Sequence, residues 1–359
     1  MIYAVITGSG NYLPELSVSN ADFESRVFHE STGAKIERPI QEIISKFQQI
    51  TGINERRYIE DHLVSSDMAF IAAEKAIVSS GINKEDLDYI VVAHNFGDVK
   101  AGSTHVDMVP TLASRVKHKL GIVNPYCVAY DLPFGCPGWL QGVIQANYYI
   151  KSGDAKHILV IGSETLSRIS DPHDRDSMIY SDGAGAVVLS AVESDTPVGI
   201  ISHITRSDTR EEVFYLRMDC SYNTQISGQL FLKMNGRKLY EYALKTVPSA
   251  IKACIEKAGL EIGQIERILI HQANEKMDDA IVNRLYDLYG IKQRPEYSMP
   301  MTIADLGNNS VATLPILYNM IIHKNIENHF LNPGDHFVFA SVGAGMNVNA
   351  VVYRMPSQL

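Results

Sequence analysis

The chain has 359 residues, of which 45% are hydrophobic and 20% are charged, so it is neither disordered nor fibrous and can bury a large core. Its formal charge of −9 opposes general attraction to nucleic acids or anionic membranes. Four cysteines in a chain of this length do not indicate a disulfide framework, and no Cys-x-x-Cys pair suited to zinc occurs.

The first residues carry no pattern typical of export. Residues 1–8 lack the basic stretch that opens a secretory signal, and glycines interrupt the apolar run that they begin. No apolar run reaches the roughly 18 residues that are needed to span a bilayer. The sequence therefore predicts a cytoplasmic protein without a membrane span.

An internal repeat organises the chain. Residues 74–95 read as an amphipathic helix, a glycine stop, a polar turn and a β-branched strand, and residues 252–274 repeat that plan about half a chain length later. A second echo pairs a Gly-Asp turn and the strand at 157–162 with a Gly-Asp turn and the strand at 336–341. Two echoes at nearly one offset predict a duplicated α/β unit.

The repeat divides the chain into an N-terminal half, 1–192, and a C-terminal half, 193–359, which meet in a polar connection near 191–197. Apolar runs at 89–93 and 184–190 alternate with helical patterns, which predicts mixed sheets covered by helices. The clearest helical patterns are Trp139 to Lys151 and Gly236 to Ala258.

Cys136 is the first candidate for chemistry. It follows a predicted strand at 127–132 and a glycine turn, and Pro137 suits the first turn of a helix because proline lacks the amide that would be unpaired there. A helix N-terminus is expected to lower the thiol pKa towards a nucleophilic thiolate. A structural thiol in a tight turn is the alternative. The other thiols fit structural roles: Cys127 in a strand, Cys220 in an irregular polar stretch and Cys254 on a helix face.

Three further segments are candidates for a site. His271 ends an apolar strand, where acid-base or hydrogen-bonding groups collect in α/β sheets, although most histidines are surface or core residues. Residues 307–310 read Gly-Asn-Asn-Ser before an apolar helix, which also fits an ordinary helix cap. The glycines at 343 and 345 fit either a hairpin or a backbone donor aimed at a substrate.

Together, these motifs resemble the thiolase-like condensing enzymes, specifically the β-ketoacyl-acyl-carrier-protein synthase III family. The resemblance covers essentially the whole chain and implies a five-layer α-β-α-β-α fold with mixed sheets, which agrees with the duplication. The matching segments are Thr51–Ile53 with Glu55–Arg57, the Cys136 turn, Tyr180–Ala186, Met234–Gly236, His271–Asn274, Gly307–Ser310 and the terminal glycine loop.

The resemblance implies a Cys136, His271, Asn308 triad. Cys136 would take an acyl group from a thioester, with the backbone amides of Cys136 and Ala344 binding the oxyanion. His271 and Asn308 would donate to the enolate that forms when a malonyl or β-ketoacyl thioester on acyl carrier protein loses carbon dioxide. The product would be a β-ketoacyl chain for fatty-acid or related lipid synthesis, with no cofactor or metal. Further substrate-binding residues would be Val109, Gly236, Asn274, Gly343 and Gly345.

The chain departs from relatives that start from acetyl-coenzyme A. Lys46 and Ile50 stand where those relatives carry a Trp and an Arg, respectively, that bind the nucleotide, so a carrier-bound donor is favoured. Val109 stands where they carry a Phe that crosses a homodimer interface to floor the partner's acyl pocket, which favours a longer acyl chain. Docking of an acidic carrier needs a basic rim, for which the candidates are Arg237, Lys238, Lys276 and Arg284.

Three alternatives stay open at the level of sequence. The chain could be a secondary-metabolism ketosynthase that joins two longer acyl chains, as in dialkylresorcinol formation. It could transfer an acyl group from cysteine to a hydroxyl or amine without decarboxylation. It could also be a catalytically silent scaffold subunit, although the intact triad argues against that.

Overall fold

The computed structural model describes residues 1–357 and contains two large mixed sheets with helices against their faces. The strands are β1 (Ile2–Tyr12), β2 (Leu16–Ser19), β3 (Glu55–Tyr58), β4 (Tyr89–Ala93), β5 (Asp98–Val99), β6 (Val106–Asp107), β7 (Val128–Leu132), β8 (His157–Thr165), β9 (Asp182–Glu193), β10 (Gly199–Ser207), β11 (Leu216–Cys220), β12 (Leu230–Met234), β13 (Ile265–Ile270), β14 (His336–Gly343) and β15 (Asn347–Arg354). The α-helices are α1 (Ile40–Thr51), α2 (Ser65–Ser80), α3 (Leu112–Lys119), α4 (Gly138–Ser152), α5 (Gly236–Lys257), α6 (Glu275–Asp287), α7 (Ile303–Leu306) and α8 (Thr313–Ile322).

The two large sheets are built from different parts of the chain. The first has the order β1-β9-β8-β4-β7 and ends before residue 194, and the second has the order β10-β15-β14-β13 and begins at Gly199. Each contains both parallel and antiparallel pairs. The repeated segments of the sequence become α2 leading to β4 and α5 leading to β13, each through a single turn of 3₁₀-helix.

The helices and sheets stack in five layers. Because side chains alternate along a strand, Val91 and Ala93 of β4 face the core shared with α4 and α8, whereas Ile90 and Val92 face α2 and α3. Strand β14 alternates in the same way between that central core and the core under α5 and α6. The order is therefore helices, sheet, helices, sheet, helices, and the predicted duplicated five-layer fold is confirmed.

Two peripheral features matter for function. Strand β7 lies at the edge of the first sheet and leads directly to Cys136. The antiparallel hairpin of β11 and β12 stands outside both large sheets. Within residues 1–357, no helix is both long and apolar enough to cross a membrane.

Candidate active site

A cavity of about 190 Å³ lies where loops from both halves meet the β11–β12 hairpin. Its polar lining residues are Asn95, Cys136, His271, Asn308 and Ser310, together with Tyr180 and Arg217. Its apolar lining includes Phe96, Leu166, Ile179, Leu216, Met218, Leu232, Met234, Leu239, Met277 and Val342. The cavity thus places a few polar groups beside a mainly apolar wall, an arrangement suited to an acyl chain that ends in a reactive carbonyl.

Cys136 lies in the turn between β7 and α4, immediately before the helix N-cap, Pro137. Gly135 has a φ of +69°, which lets the chain reverse sharply, and its carbonyl accepts a hydrogen bond from the Gly138 amide at 3.0 Å. The sequence prediction of a cysteine at the start of a helix is confirmed.

The expected lowering of the thiol pKa is wrong for the free protein. Burial raises the pKa of Cys136 to about 11, and this outweighs the opposing hydrogen bond from the Ser310 hydroxyl, whose Oγ lies 3.4 Å from Sγ. The local sequence predicts the helix start but not the layers that cover the sulfur. The free protein therefore holds a neutral thiol at neutral pH.

His271 follows β13 and is held by its backbone amide, which donates to the carbonyl of Ala340 at 2.9 Å. The ring is buried, and burial lowers the pKa of His271 to about 4, so the imidazole is neutral at neutral pH. Within residues 1–357, Nδ1 has no hydrogen-bond partner. A neutral imidazole can donate one hydrogen bond to an enolate without adding a charge.

Asn308 is fixed by its backbone and by its side chain. Its amide donates to Ile179 and its carbonyl accepts from Ser181, at 3.0 and 2.9 Å. The side-chain Oδ1 accepts from the backbone amide of Ser310 at 2.8 Å. Because the oxygen is engaged there, the Nδ2 group is the part of the amide that is left to donate to a substrate.

The backbone of the Cys136 turn touches the loop that follows β14. A Cβ atom added at Gly135 would lie 2.6 Å from the carbonyl oxygen of Ala344 and 2.7 Å from its nitrogen. A Cβ atom added at Gly343 would lie 2.9 Å from the Cβ atom of Cys136. These contacts bring the Cys136 and Ala344 backbones to the same side of the cavity, as a two-amide oxyanion site requires.

Of the other predicted substrate-binding residues, only Gly343 lines this cavity. Asn274 is the N-cap of α6, where its side chain accepts from the amide of Met277 at 3.1 Å, and Gly236 begins α5. Gly345 takes a φ of +75° in the turn towards β15. Each of these three residues serves the backbone of a cap or turn, and a role in substrate binding stays a prediction for all three.

Val109 also lies outside the cavity of its own chain. It is 87% exposed on the segment between β6 and α3. Its predicted role concerns the pocket of a partner subunit and stays a prediction.

The predicted docking cations lie on two helices that contribute to the cavity wall. All four side chains are exposed on the packed helices α5 and α6, which also supply the lining residues Leu239 and Met277. Arg237 makes an exposed ion pair with Glu241 at 3.0 Å. Such a pair contributes little to stability and leaves the cation accessible.

Sequence reasoning missed the β11–β12 hairpin, which supplies much of the apolar wall. Cys220 ends strand β11 and does not lie in an irregular stretch. The signal was the period-two alternation of Leu230–Met234, in which Phe231 and Lys233 are buried. Lys233 anchors the hairpin through a buried ion pair with Asp171 at 2.5 Å.

The Thr51-Gly-Ile and Glu-Arg-Arg motif is structural. Arg56 is fully buried and donates to the carbonyls of Met178 and Val18, each at 3.0 Å. Lys46 and Ile50 lie exposed on α1. Within residues 1–357, no group of three or more potential metal ligands comes together.

Comparison with known proteins places this site in a family. Models of the family "3-oxoacyl-[acyl-carrier-protein] synthase III" match residues 130–209, and models of its C-terminal part match residues 255–355. The β-ketoacyl-[acyl-carrier-protein] synthase III of Neisseria meningitidis is 33% identical over 99% of this chain and 100% of its own length. The enzyme of the same name from Staphylococcus haemolyticus is 34% identical over 97% of this chain and 98% of its own.

A solved structure supports the same grouping. The β-ketoacyl-[acyl-carrier-protein] synthase III of Thermus thermophilus superposes with a TM-score of 0.79 and 28% sequence identity, over 98% of this chain and 99% of that one. The superposition covers both halves of the duplicated fold.

Proposed function

The chain belongs to the 3-oxoacyl-[acyl-carrier-protein] synthase III family, and from that premise we propose that it performs its decarboxylative Claisen condensation on Cys136. The observation that carries the assignment is the convergence of Cys136, His271 and Asn308 on one mainly apolar cavity. Chains of this family are acyltransferases, and the steps below assign the parts of that reaction to residues of this chain.

The first step is a thioester exchange. The Cys136 sulfur attacks the carbonyl of an acyl thioester, the new C–S bond forms and the old one breaks, and the thiol proton leaves with the departing thiol. The oxyanion of the tetrahedral intermediate is stabilised by the backbone amides of Cys136 and Ala344. The acyl group stays on Cys136, with its chain along the apolar wall.

The second step forms the carbon–carbon bond. A malonyl thioester loses carbon dioxide, and the resulting enolate oxygen accepts from the neutral imidazole of His271 and from Nδ2 of Asn308. The enolate carbon attacks the acyl carbonyl, the new C–C bond forms and the C–S bond to Cys136 breaks, and the departing thiolate takes up a proton from solvent. These steps use only side chains and amides of this chain, so we propose that no cofactor takes part.

We propose acyl carrier protein as the partner that delivers the extender, and as the donor of the acyl group in preference to coenzyme A. The basic side chains Arg237, Lys238, Lys276 and Arg284 lie on the helices that border the cavity, where they suit an acidic carrier. The relatives described above carry the carrier protein in their names.

We further propose a homodimer. Strand β7 lies at a sheet edge, and an exposed edge is a site for pairing with another chain. Apolar side chains around it are exposed, namely Val106, Val109, Val123, Tyr126 and Val128. A second copy that covers this face would also bring its Val109 towards the first copy.

Intact-mass measurement tests the assignment. Purified protein is mixed with acyl thioesters, with and without malonyl carrier, and the adduct on Cys136 is followed. A condensing enzyme forms an acyl adduct that malonyl carrier discharges into a β-ketoacyl product. An adduct discharged only by hydroxyl or amine acceptors would indicate simple acyl transfer, and no adduct at all would indicate a silent scaffold.

A further inference from the structure

A chain of polar contacts runs from the sulfur of Cys136 into the first half of the molecule. The Ser310 hydroxyl donates to Sγ, with 3.4 Å between Oγ and Sγ. Nδ2 of Asn95 lies 3.4 Å from the same Oγ and 2.7 Å from Oε2 of Glu164. Asn95 and Ser310 line the cavity, whereas Glu164 lies fully buried behind them.

Glu164 fixes the orientation of the Asn95 amide. Its Oε2 accepts from both the backbone amide and the side-chain Nδ2 of Asn95, at 3.0 and 2.7 Å. A carboxylate oxygen that accepts two hydrogen bonds from one residue leaves the amide little freedom to rotate. Nδ2, rather than Oδ1, is therefore the atom that Asn95 presents to Ser310.

The direction of the Ser310 hydroxyl follows from that orientation. Because Nδ2 donates to the lone pair of Oγ, the hydroxyl proton is left to point elsewhere, and Sγ is the acceptor that it meets. Ser310 also has a φ of +52°, a left-handed conformation that is costly for serine and persists only where the surroundings determine it.

We propose that Glu164 is a positioning residue for the nucleophile, Cys136. It acts through Asn95, which directs the Ser310 hydroxyl at the sulfur, and a hydroxyl so directed stabilises the thiolate that forms in thioester exchange. The inference rests on the proposed function only in taking Cys136 as the nucleophile.

The charge of Glu164 has to be separated from its hydrogen bonds. The negative charge of an ionised Glu164 disfavours a thiolate at Cys136. Its hydrogen bonds to Asn95 favour the thiolate, because they orient the Ser310 hydroxyl. Both ring nitrogens of the neighbouring His94 are engaged by other groups: Nδ1 accepts from the Gly97 amide at 3.0 Å, and Nε2 lies 2.8 Å from Asp131.

Two neutral variants of similar size make that separation. Glu164→Gln keeps a carbonyl oxygen that can accept from Asn95, and Glu164→Leu does not. Both variants lose the charge, so a difference between them reports only the hydrogen bonds. The readout is the rate of alkylation by iodoacetamide at a series of pH values. It is followed on the Cys136 peptide, because the exposed Cys220 would also react.

We expect Glu164→Leu to react about tenfold more slowly than Glu164→Gln below the thiol pKa, with its pH profile displaced upwards. Alkylation of Ser310→Ala should be slower than that of the wild type by a similar factor. In the Ser310→Ala background, Glu164→Leu and Glu164→Gln should react at the same rate, because the effect of the hydrogen bonds passes through Ser310. Ser163→Ala is the matched control, since Ser163 is the buried neighbour on β8 and, within residues 1–357, its hydroxyl bonds with Ser65 alone.

Equal rates in the Gln and Leu variants would overturn the proposal, and so would an undiminished difference between these two variants in the Ser310→Ala background. If Glu164→Leu does not fold, Asn95→Ala breaks the same chain of contacts with Glu164 in place, and an unchanged alkylation profile there has the same meaning. Acylation by thioesters is measured separately. A protein that shows the alkylation pattern but forms no acyl adduct would contradict the proposed function and leave the positioning role standing.

Discussion

Gly135 and Ala344 pack backbone against backbone, so closely that a methyl group on Gly135 would lie 2.6 Å from the Ala344 carbonyl oxygen. Gly135 belongs to the first half and Ala344 to the second. The contact therefore fixes the turn that carries the proposed nucleophile against the loop that carries the second proposed oxyanion amide. The duplicated fold builds one reaction centre from both of its halves at this point.

The first prediction tests that contact with Gly135→Ala. The added methyl group must displace the Ala344 loop, and overpacking of this kind costs about 1–3 kcal/mol beyond the strain of a positive φ. We expect lower stability in urea and loss of Cys136 acylation. Gly153→Ala is the control, because its φ of +82° imposes the same strain but nothing lies within 4 Å of the new Cβ. Equal acylation in the two variants would show that the contact does not position the oxyanion site.

The second prediction separates the roles within the triad. Cys136→Ala should form no acyl-enzyme, whereas His271→Ala and Asn308→Ala should still be acylated and should fail at decarboxylation, since their donors face the enolate. Intact mass reports the acyl-enzyme, and release of carbon dioxide from malonyl carrier reports the later step. Unimpaired condensation by Asn308→Ala would remove Asn308 from the mechanism.

The sequence was informative wherever the relevant physics is local. The glycine turn and Pro137 predict the helix start at the nucleophile, and the apolar run at 89–93 coincides with β4. The thiol pKa was predicted in the wrong direction because desolvation depends on layers that are distant in sequence. Asn274 caps the helix that follows its motif, which is a local role typical of asparagine, and its part in substrate binding stays a prediction.

The polar contacts behind the nucleophile could not be predicted from local pattern either. In the sequence, Glu164 is an ordinary residue near the end of one strand, and Asn95 is an ordinary asparagine after a different strand. Only the parallel pairing of β4 with β8 places the segments that carry them side by side. A repeat or motif predicts which elements exist, whereas register decides which side chains meet.

The third prediction concerns pH and His271. Burial lowers the pKa of the folded imidazole from 6.5 to about 4, so between those values the unfolded chain binds a proton that the folded protein does not. Stability is therefore lost as the pH falls through this window. The unfolding free energy of the wild type relative to His271→Gln should fall by about 2 kcal/mol from pH 7 to pH 5.

Urea titrations of both proteins at the two pH values measure this difference, in which the other titrating groups cancel. His62→Gln, a substitution of an exposed histidine, is the control. A difference that does not change with pH would show that His271 is not held neutral by burial.

The fourth prediction concerns the carrier. Reversing Lys276 and Arg284 to Glu should raise the KM for carrier-bound substrate about tenfold and weaken its dependence on salt, because these cations lie on a helix that lines the cavity and carriers are acidic. The double variant Lys75→Glu, Lys324→Glu makes the same change of charge near a separate groove, which shares no lining residue with the active-site cavity. This control should leave the KM unchanged. Identical kinetics in the two variants would favour a purely solvating role for the α6 cations.

The fifth prediction concerns the length of the acyl chain. A valine at position 109, where acetyl-selective relatives carry a phenylalanine, opens room for several methylenes in the pocket of a partner subunit, each worth about 0.8 kcal/mol when buried. Hexanoyl and octanoyl thioesters should therefore acylate Cys136 more than about tenfold faster than an acetyl thioester does, and Val109→Phe should reverse that ranking.

Three features of the chain sharpen this test. Val109 is 87% exposed, so the ring in Val109→Phe can shorten an acyl pocket only by contacting another subunit. A reversed ranking would therefore also support the homodimer. Met108, whose flexible side chain could fill the added space, packs over Gly97, where a Cβ would lie 2.6 Å from its Cγ. Val78→Phe, at a valine that is 81% exposed on α2, controls for an added surface ring. A preference for acetyl in the wild type, or a ranking that Val109→Phe leaves unchanged, would show that Val109 does not set the length of the pocket.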